Sequence, residues 1–268
     1  MISVYILLYM KEFQKIIEPI KYVFVFVCVM AVAGWIVPKL LCLLPGGVDG
    51  GMSKVATSAV YSVVLFVLFY RLRWCPLSSG YALGRHWDVI AWTVLFSLGS
   101  MIPEMALELL MPDLPNLVAE QMMQVINSDF GYVSICLFAP LVEEMVFRGA
   151  VLRQLLQEMP GRQWLAIVIS ALLFSIVHMN PAQMPFAFVA GIFLGWIYSR
   201  TGSIVPGVLY HWVNNSVVFL LARMMPQLAD GDITMLFGGD HRRTGLAVIF
   251  SLFIMLPSLY QLVIRTRK

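Results

Sequence analysis

The run YVFVFVCVMAVAGWIVPKLLCLL, from Tyr22 to Leu44, holds a single charge, Lys39. A helix rises ~1.5 Å per residue, so this run is long enough to cross the ~30 Å hydrocarbon core of a bilayer. Lys11, Lys15 and Lys21 precede it, which superficially resembles a secretory leader. The run is too long for a leader's apolar region of ~7–15 residues, and no small-residue cleavage site follows it. It reads as the first membrane anchor.

The rest of the chain repeats this message. Of 268 residues, 60% are hydrophobic and 12% charged, where soluble domains carry ~25% charged residues. The mean hydropathy is +0.84. A water-soluble fold of this size would lack the polar residues to cover its surface. A membrane β-barrel is excluded because the apolar runs are continuous rather than alternating over ~10 residues. The expected fold is all-α, a polytopic membrane helix bundle of about eight transmembrane helices forming one membrane domain, residues 1–268.

The eight segments are 20–44, 55–70, 88–111, 130–155, 163–179, 182–200, 203–223 and 245–264. Pro38 is expected to kink or end the first, and the second is short enough to suggest that its ends lie further out. Turn chemistry separates them at Pro45-Gly46-Gly47, Pro112 and Pro115, Pro160-Gly161, Asn180-Pro181 and Gly238-Gly239. Segment 112–128 mixes apolar and polar residues and is expected to form an amphipathic helix at the interface. Gly191 and Gly195 form a GxxxG pair, read as helix packing rather than chemistry.

Lys and Arg placement sets orientation. With the N-terminus inside, thirteen of the eighteen, Arg85 and Lys268 among them, collect on the cytoplasmic side and five on the outer side. Both termini are therefore expected in the cytoplasm, although Arg242-Arg243 opposes this. Short loops and the absence of sorting signals point to a prokaryotic plasma membrane. A net charge of +3 says little about partners, and no basic run is dense enough to suggest nucleic acid, so none is expected. Cys28, Cys42, Cys75 and Cys136 show no CxxC spacing and read as small buried hydrophobes.

Ionisable groups inside hydrocarbon cost ~2.5–3.5 kcal/mol each, so those present need a reason. Three clusters stand out: Glu143-Glu144 with Arg148, Phe174 with His178, and His211 with Asn214 and Asn215. Glu144 and Arg148 are i,i+4 neighbours and can pair, while Glu143 is turned ~100° away. His211 and Asn215 also share one face. Three helices can thus present a carboxylate, two imidazoles and an amide to one cavity, enough for acid–base work on water and two oxyanion donors.

Depth offers a check. Measured from Arg153, Glu143 lies ~15 Å into the membrane, and His211 lies ~12 Å from Ser203. His178 comes to ~24 Å from Arg162, too deep unless the fifth span starts below the membrane or tilts. Each cluster alone also fits a structural ion pair, an interfacial histidine or an interhelical hydrogen bond. Their joint occurrence in three of the eight spans, the fourth, fifth and seventh, favours function. Glu104 and Glu108, an acidic i,i+4 pair with no nearby cation, are placed at the outer water boundary without a role. His86 and His241 sit in polar connections and are read as interfacial.

The segments Glu143-Glu144-Met145-Val146-Phe147-Arg148, Phe174-Ser175-Ile176-Val177-His178 and His211-Trp212-Val213-Asn214-Asn215 resemble the EExxxR, FxxxH and HxxxN motifs of the CPBP family. This is the group of CAAX-protease-like and bacteriocin-processing intramembrane proteins, also called the Abi family. The resemblance covers residues 130–220, in the expected order. It implies an intramembrane glutamic endopeptidase in which Glu143 and His178 activate water and His211 and Asn215 stabilise the oxyanion. Glu144, Arg148 and Phe174 would be supporting residues.

No cofactor is expected. The alternative is a zinc ion held by Glu143, His178 and His211, but there is no HExxH helix and the ligands would come from three spans. The implied partners are the lipid bilayer and a membrane-anchored or lipidated protein or peptide substrate. A non-catalytic binding or bacteriocin-immunity protein using the same cavity is the competing function. A proton-linked transporter is less favoured, since inverted repeats are not evident.

Overall fold

The computed structural model describes residues 2–76, 84, 86–226 and 233–267, with side chains from Ile17 onward. Arg85, Lys268 and the side chains of Lys11 and Lys15, all counted in the charge balance, lie outside the described residues. Among the described residues every regular element is helical. Helix α1 (Ile2–Leu41) is followed by α2 (Gly50–Arg71), α3 (Trp87–Glu108) and the short α4 (Ala119–Ile126). A continuous helical rod then changes its winding three times. It passes through a π-helical segment Val133–Phe138, α5 (Ala139–Glu144), a second π segment Met145–Leu152, and α6 (Arg153–Glu158). Next come α7 (Gln163–Ile176), α8 (Met184–Thr201), α9 (Val205–Met224), a 3₁₀ turn Ile233–Phe237 and α10 (His241–Arg265).

Local chemistry explains several of these boundaries. Asp49 caps α2, accepting from the amides of Gly51 and Met52 at 2.8 and 3.0 Å, and Asp240 caps α10 through Arg242 N–H. Such side chains satisfy amides that the first helical turn leaves without partners. Helix α8 ends where Gly202 turns left-handed at φ 66° and donates to the Tyr198 carbonyl, and Pro206 then opens α9.

Five helices among the described residues are long and apolar enough to cross a membrane: Ile17–Leu41, α2, α3, α9 and α10. The expected count of eight is corrected in its detail. Segments 130–155, 163–179 and 182–200 are helical, but the first is broken by π turns and α7 has only 14 residues, or ~21 Å. The last turn of α8 is polar, with Ser199, Arg200 and Thr201. Pro38 does not break α1, which runs three residues past it. Helix α2 extends to 22 residues, longer than the apolar run suggested, and the amphipathic stretch narrows to the eight residues of α4.

The rod is the centre of the bundle. Every side chain of Met145–Leu152 is buried. Tyr22 and Phe26 of α1, Leu65 and Phe69 of α2, and Ala166, Ile167 and Phe174 of α7 close around it. A second layer pairs α3 with α10 and with α9. Outward faces carry Phe24, Trp35, Phe250 and Phe253 exposed, an apolar periphery that suits lipid rather than water. Gly191 and Gly195 let α8 lie against Ala171 and Ile167 of α7, where an added Cβ would come within 3.0 Å. All four cysteines are free; Cys75 and Cys136 are buried and Cys28 partly so, whereas Cys42 is exposed, against expectation.

Candidate active site

The two consecutive glutamates close α5 and sit in very different surroundings. Glu144 is fully buried and accepts a 2.8 Å bond from Arg148, itself fully buried one turn away. The guanidinium also donates to the Gly191 carbonyl at 3.3 Å and lies 4.3 Å from the centre of the Phe174 ring. Gly191, read from sequence as packing, therefore also anchors the arginine. Glu143 faces another way and keeps about a fifth of its side chain exposed. This is the division expected from a ~100° turn between adjacent residues.

His211 of α9 meets both carboxylates. Its Nε2 lies 3.7 Å from Glu143 and its Nδ1 lies 3.6 Å from Glu144. A charged imidazole there would be embraced from both sides, yet neither distance is a hydrogen bond. The close approach of α9 depends on Gly207, where a Cβ would come 2.5 Å from a Glu144 oxygen. Nothing in the motif spacing pointed to Gly207.

His178 lies just past the end of α7. Its Nδ1 is 2.7 Å from the Phe174 carbonyl. A carbonyl only accepts, so Nδ1 is the donor in this contact; in a neutral imidazole the lone pair then sits on Nε2. Phe174 is the hub. Its ring meets His178 edge-on at 4.9 Å and His211 at 5.9 Å. The depth conflict for His178 disappears once both helices are measured from their shared turn. Glu143 lies fifteen residues before Glu158, the end of α6, and His178 fifteen residues after Gln163, the start of α7. Equal lengths on the two arms of a helical hairpin bring them to similar height.

The His178 turn is fastened from outside the motif. Asn180 is buried, accepts from Leu117 N–H at 2.9 Å and donates to Asn116 at 3.0 Å. This bond pair ties the loop before α4 to the chain segment carrying His178, and Asn-Pro in the sequence signalled only a turn. Asn215 is directed away from a simple pairing with His211: its amide donates to the Ile135 carbonyl at 3.0 Å. An asparagine amide has two N–H groups, so one remains after this bond. Tyr61 of α2, also unmarked by any motif, interacts electrostatically with Glu143 and accepts from Ser58 at 3.2 Å.

The structure thus gathers Glu143, Glu144, Arg148, Phe174 and His211, joins His178 to them through Phe174, and holds Asn215 on the first π segment. The zinc alternative finds no support in the donor geometry. Among the described residues no three His, Cys, Asp or Glu side chains are grouped as a metal-binding set, Glu143, His178 and His211 included. The arrangement offers a partly exposed carboxylate beside one imidazole, with a second imidazole whose Nδ1 is held by a backbone carbonyl.

Residues 127–217, which hold every one of these motif residues, match the family described as Type II CAAX prenyl endopeptidase Rce1-like. The membrane-embedded CAAX protease MroQ of Staphylococcus aureus (strain USA300) is 25% identical over 97 residues, 35% of this chain and 39% of that protein. The match thus spans about two fifths of that relative's length. No solved structure matches the chain. Over its motif-bearing segment, the chain is similar to the Rce1-like CAAX prenyl endopeptidases, a family of proteases.

Proposed function

We propose that this protein is an intramembrane endopeptidase that hydrolyses a peptide bond in a membrane-anchored or lipidated protein or peptide. The observation that carries the reading is the asymmetry of the glutamate pair. Glu144 is neutralised by Arg148 in the interior, while Glu143 stays accessible within 3.7 Å of His211. A carboxylate kept near water can orient and deprotonate it for attack on a carbonyl carbon. His178, its Nδ1 held by the Phe174 carbonyl, would take up the proton at Nε2 and deliver it to the leaving amine. His211 and the second N–H of Asn215 would donate to the oxyanion, where preorganised donors act most strongly. Tyr61 and Phe174 would wall the cavity and limit water.

The relative MroQ is described as a CAAX protease, which supports a substrate whose cleavage site lies near a lipid-modified cysteine. The five long helices, packed with the rod, α7 and α8, would form a multi-pass protein with both termini in the cytoplasm of a prokaryotic cell. Such a site would work on a segment unwound at the membrane. Quantitative comparison of peptides released from membranes of wild-type and Glu143→Gln cells tests the reading. Products present in the wild type and missing in the variant, at equal protein level, are expected. Identical peptide profiles would remove the peptidase assignment.

A further inference from the structure

Glu104 lies on α3, outside the matched segment, and was placed by sequence at the outer water boundary. It is half-buried. The Tyr210 hydroxyl, on a side chain with 1% exposure, donates to its carboxylate at 2.9 Å. The same tyrosine is held at two further points. Ser97 donates to the Tyr210 carbonyl at 3.1 Å, and the Ser100 hydroxyl lies 3.4 Å from the Tyr210 hydroxyl. The Phe96 and Phe193 rings stand 6.1 and 4.9 Å from the tyrosine ring. Glu108, the other half of the acidic pair, is exposed and takes no part.

Tyr210 immediately precedes His211. Adjacent residues on a helix point ~100° apart, so the direction of one fixes the direction of the other. We infer that Glu104, through Tyr210, is a positioning residue that locks the rotation of α9 and aims His211 at Glu143 and Glu144. The catalytic meaning of that aim rests on the function proposed above; the geometric claim does not. The demand at Glu104 is for a hydrogen-bond acceptor. A glutamine oxygen meets it and a leucine does not.

The chain has four histidines, so the imidazole NMR spectrum of the histidine-labelled full-length protein in detergent is simple, and a His211→Asn variant assigns the His211 signal. Glu104→Leu and Tyr210→Phe should each shift that signal and its titration midpoint, by similar amounts and without adding in the double variant. Glu104→Gln should leave both as in the wild type. If Glu104→Leu does not fold, Tyr210→Phe, which removes only one hydroxyl, decides with Glu104→Gln. An unmoved His211 signal in Tyr210→Phe overturns the inference, and so does a Glu104→Gln shift as large as that of the disruptive variants. Turnover of a farnesylated CAAX peptide is read in parallel. Glu104→Leu should lower kcat by about 10- to 100-fold at unchanged KM. A wild type that cleaves no peptide while the NMR pattern appears as expected refutes the peptidase reading and leaves the positioning role standing.

Discussion

The molecule buries carboxylates in two regions and treats them oppositely. In the central rod, Glu144 is matched by a full positive charge on Arg148, and both are sealed from solvent. Between α3 and α9, Glu104 is matched only by neutral hydroxyls, from Tyr210 and Ser100. An ion pair can hold a carboxylate charged in a low-dielectric interior, whereas a neutral donor orients it without settling its charge. The first region fixes the electrostatics around Glu143 and His211. The second fixes where a helix points. The rod should therefore tolerate loss of charge poorly, and the α3–α9 contact should tolerate it while demanding shape and hydrogen bonding.

The sharpest way to break this contrast is Arg148→Leu. It strands Glu144 without its partner and frees the Gly191 carbonyl, which should cost about 3–5 kcal/mol. Thermal unfolding in detergent should show a large drop or no folded protein, and a near-native midpoint would mean that the ion pair is not what holds the rod. Gly207→Ala comes next. The new methyl group must displace the Glu144 carboxylate, at about 1–3 kcal/mol, with turnover falling further than stability; full activity would deny that the α9 contact is tight. Asn180→Ala should cost about 1–3 kcal/mol through the amide and side chain it strands. Limited proteolysis near 112–118 would report the released loop, and unchanged protection would count against the tie to the His178 turn.

The smallest effect is a contrast between two thiols at the edges of the bundle. Cys75 packs on Gly149 of the rod, and burial pushes its thiol up to about 12, with the positive charge of Arg153 pulling weakly the other way. A raised value means that the reactive thiolate is scarce until strongly alkaline pH. Maleimide at neutral pH should label exposed Cys42 and spare Cys75 until the protein is denatured. Equal labelling would show that the rod's packing at Gly149 is loose.

Much of the site could be read in advance because the helical repeat is a strong constraint. Glu144 and Arg148 pair at i,i+4 as their spacing required, and Glu143 turns to the other side. What spacing does not carry is the winding of the rod: π turns at Val133–Phe138 and Met145–Leu152 arise from tertiary packing around a buried helix and leave no mark in hydropathy. The depth of Glu143 was set too shallow beside that of His178 because Arg153, inside the rod, stood in for the turn after Glu158. Phe174 could be placed on a helix, but that its ring would touch Arg148, His178 and His211 together needed three dimensions. Glu104 was left without a role for the same reason: its partner, Tyr210, is 106 residues away.

The central claim is that two adjacent glutamates divide the labour, Glu143 acting on water and Glu144 holding the frame. Its most direct test pairs turnover of one membrane peptide reporter with thermal stability for Glu143→Gln and Glu144→Gln in purified protein. The account predicts that Glu143→Gln keeps a wild-type unfolding midpoint and loses at least ~100-fold in turnover, while Glu144→Gln unfolds at lower temperature. Substantial cleavage by a stable Glu143→Gln protein would contradict it.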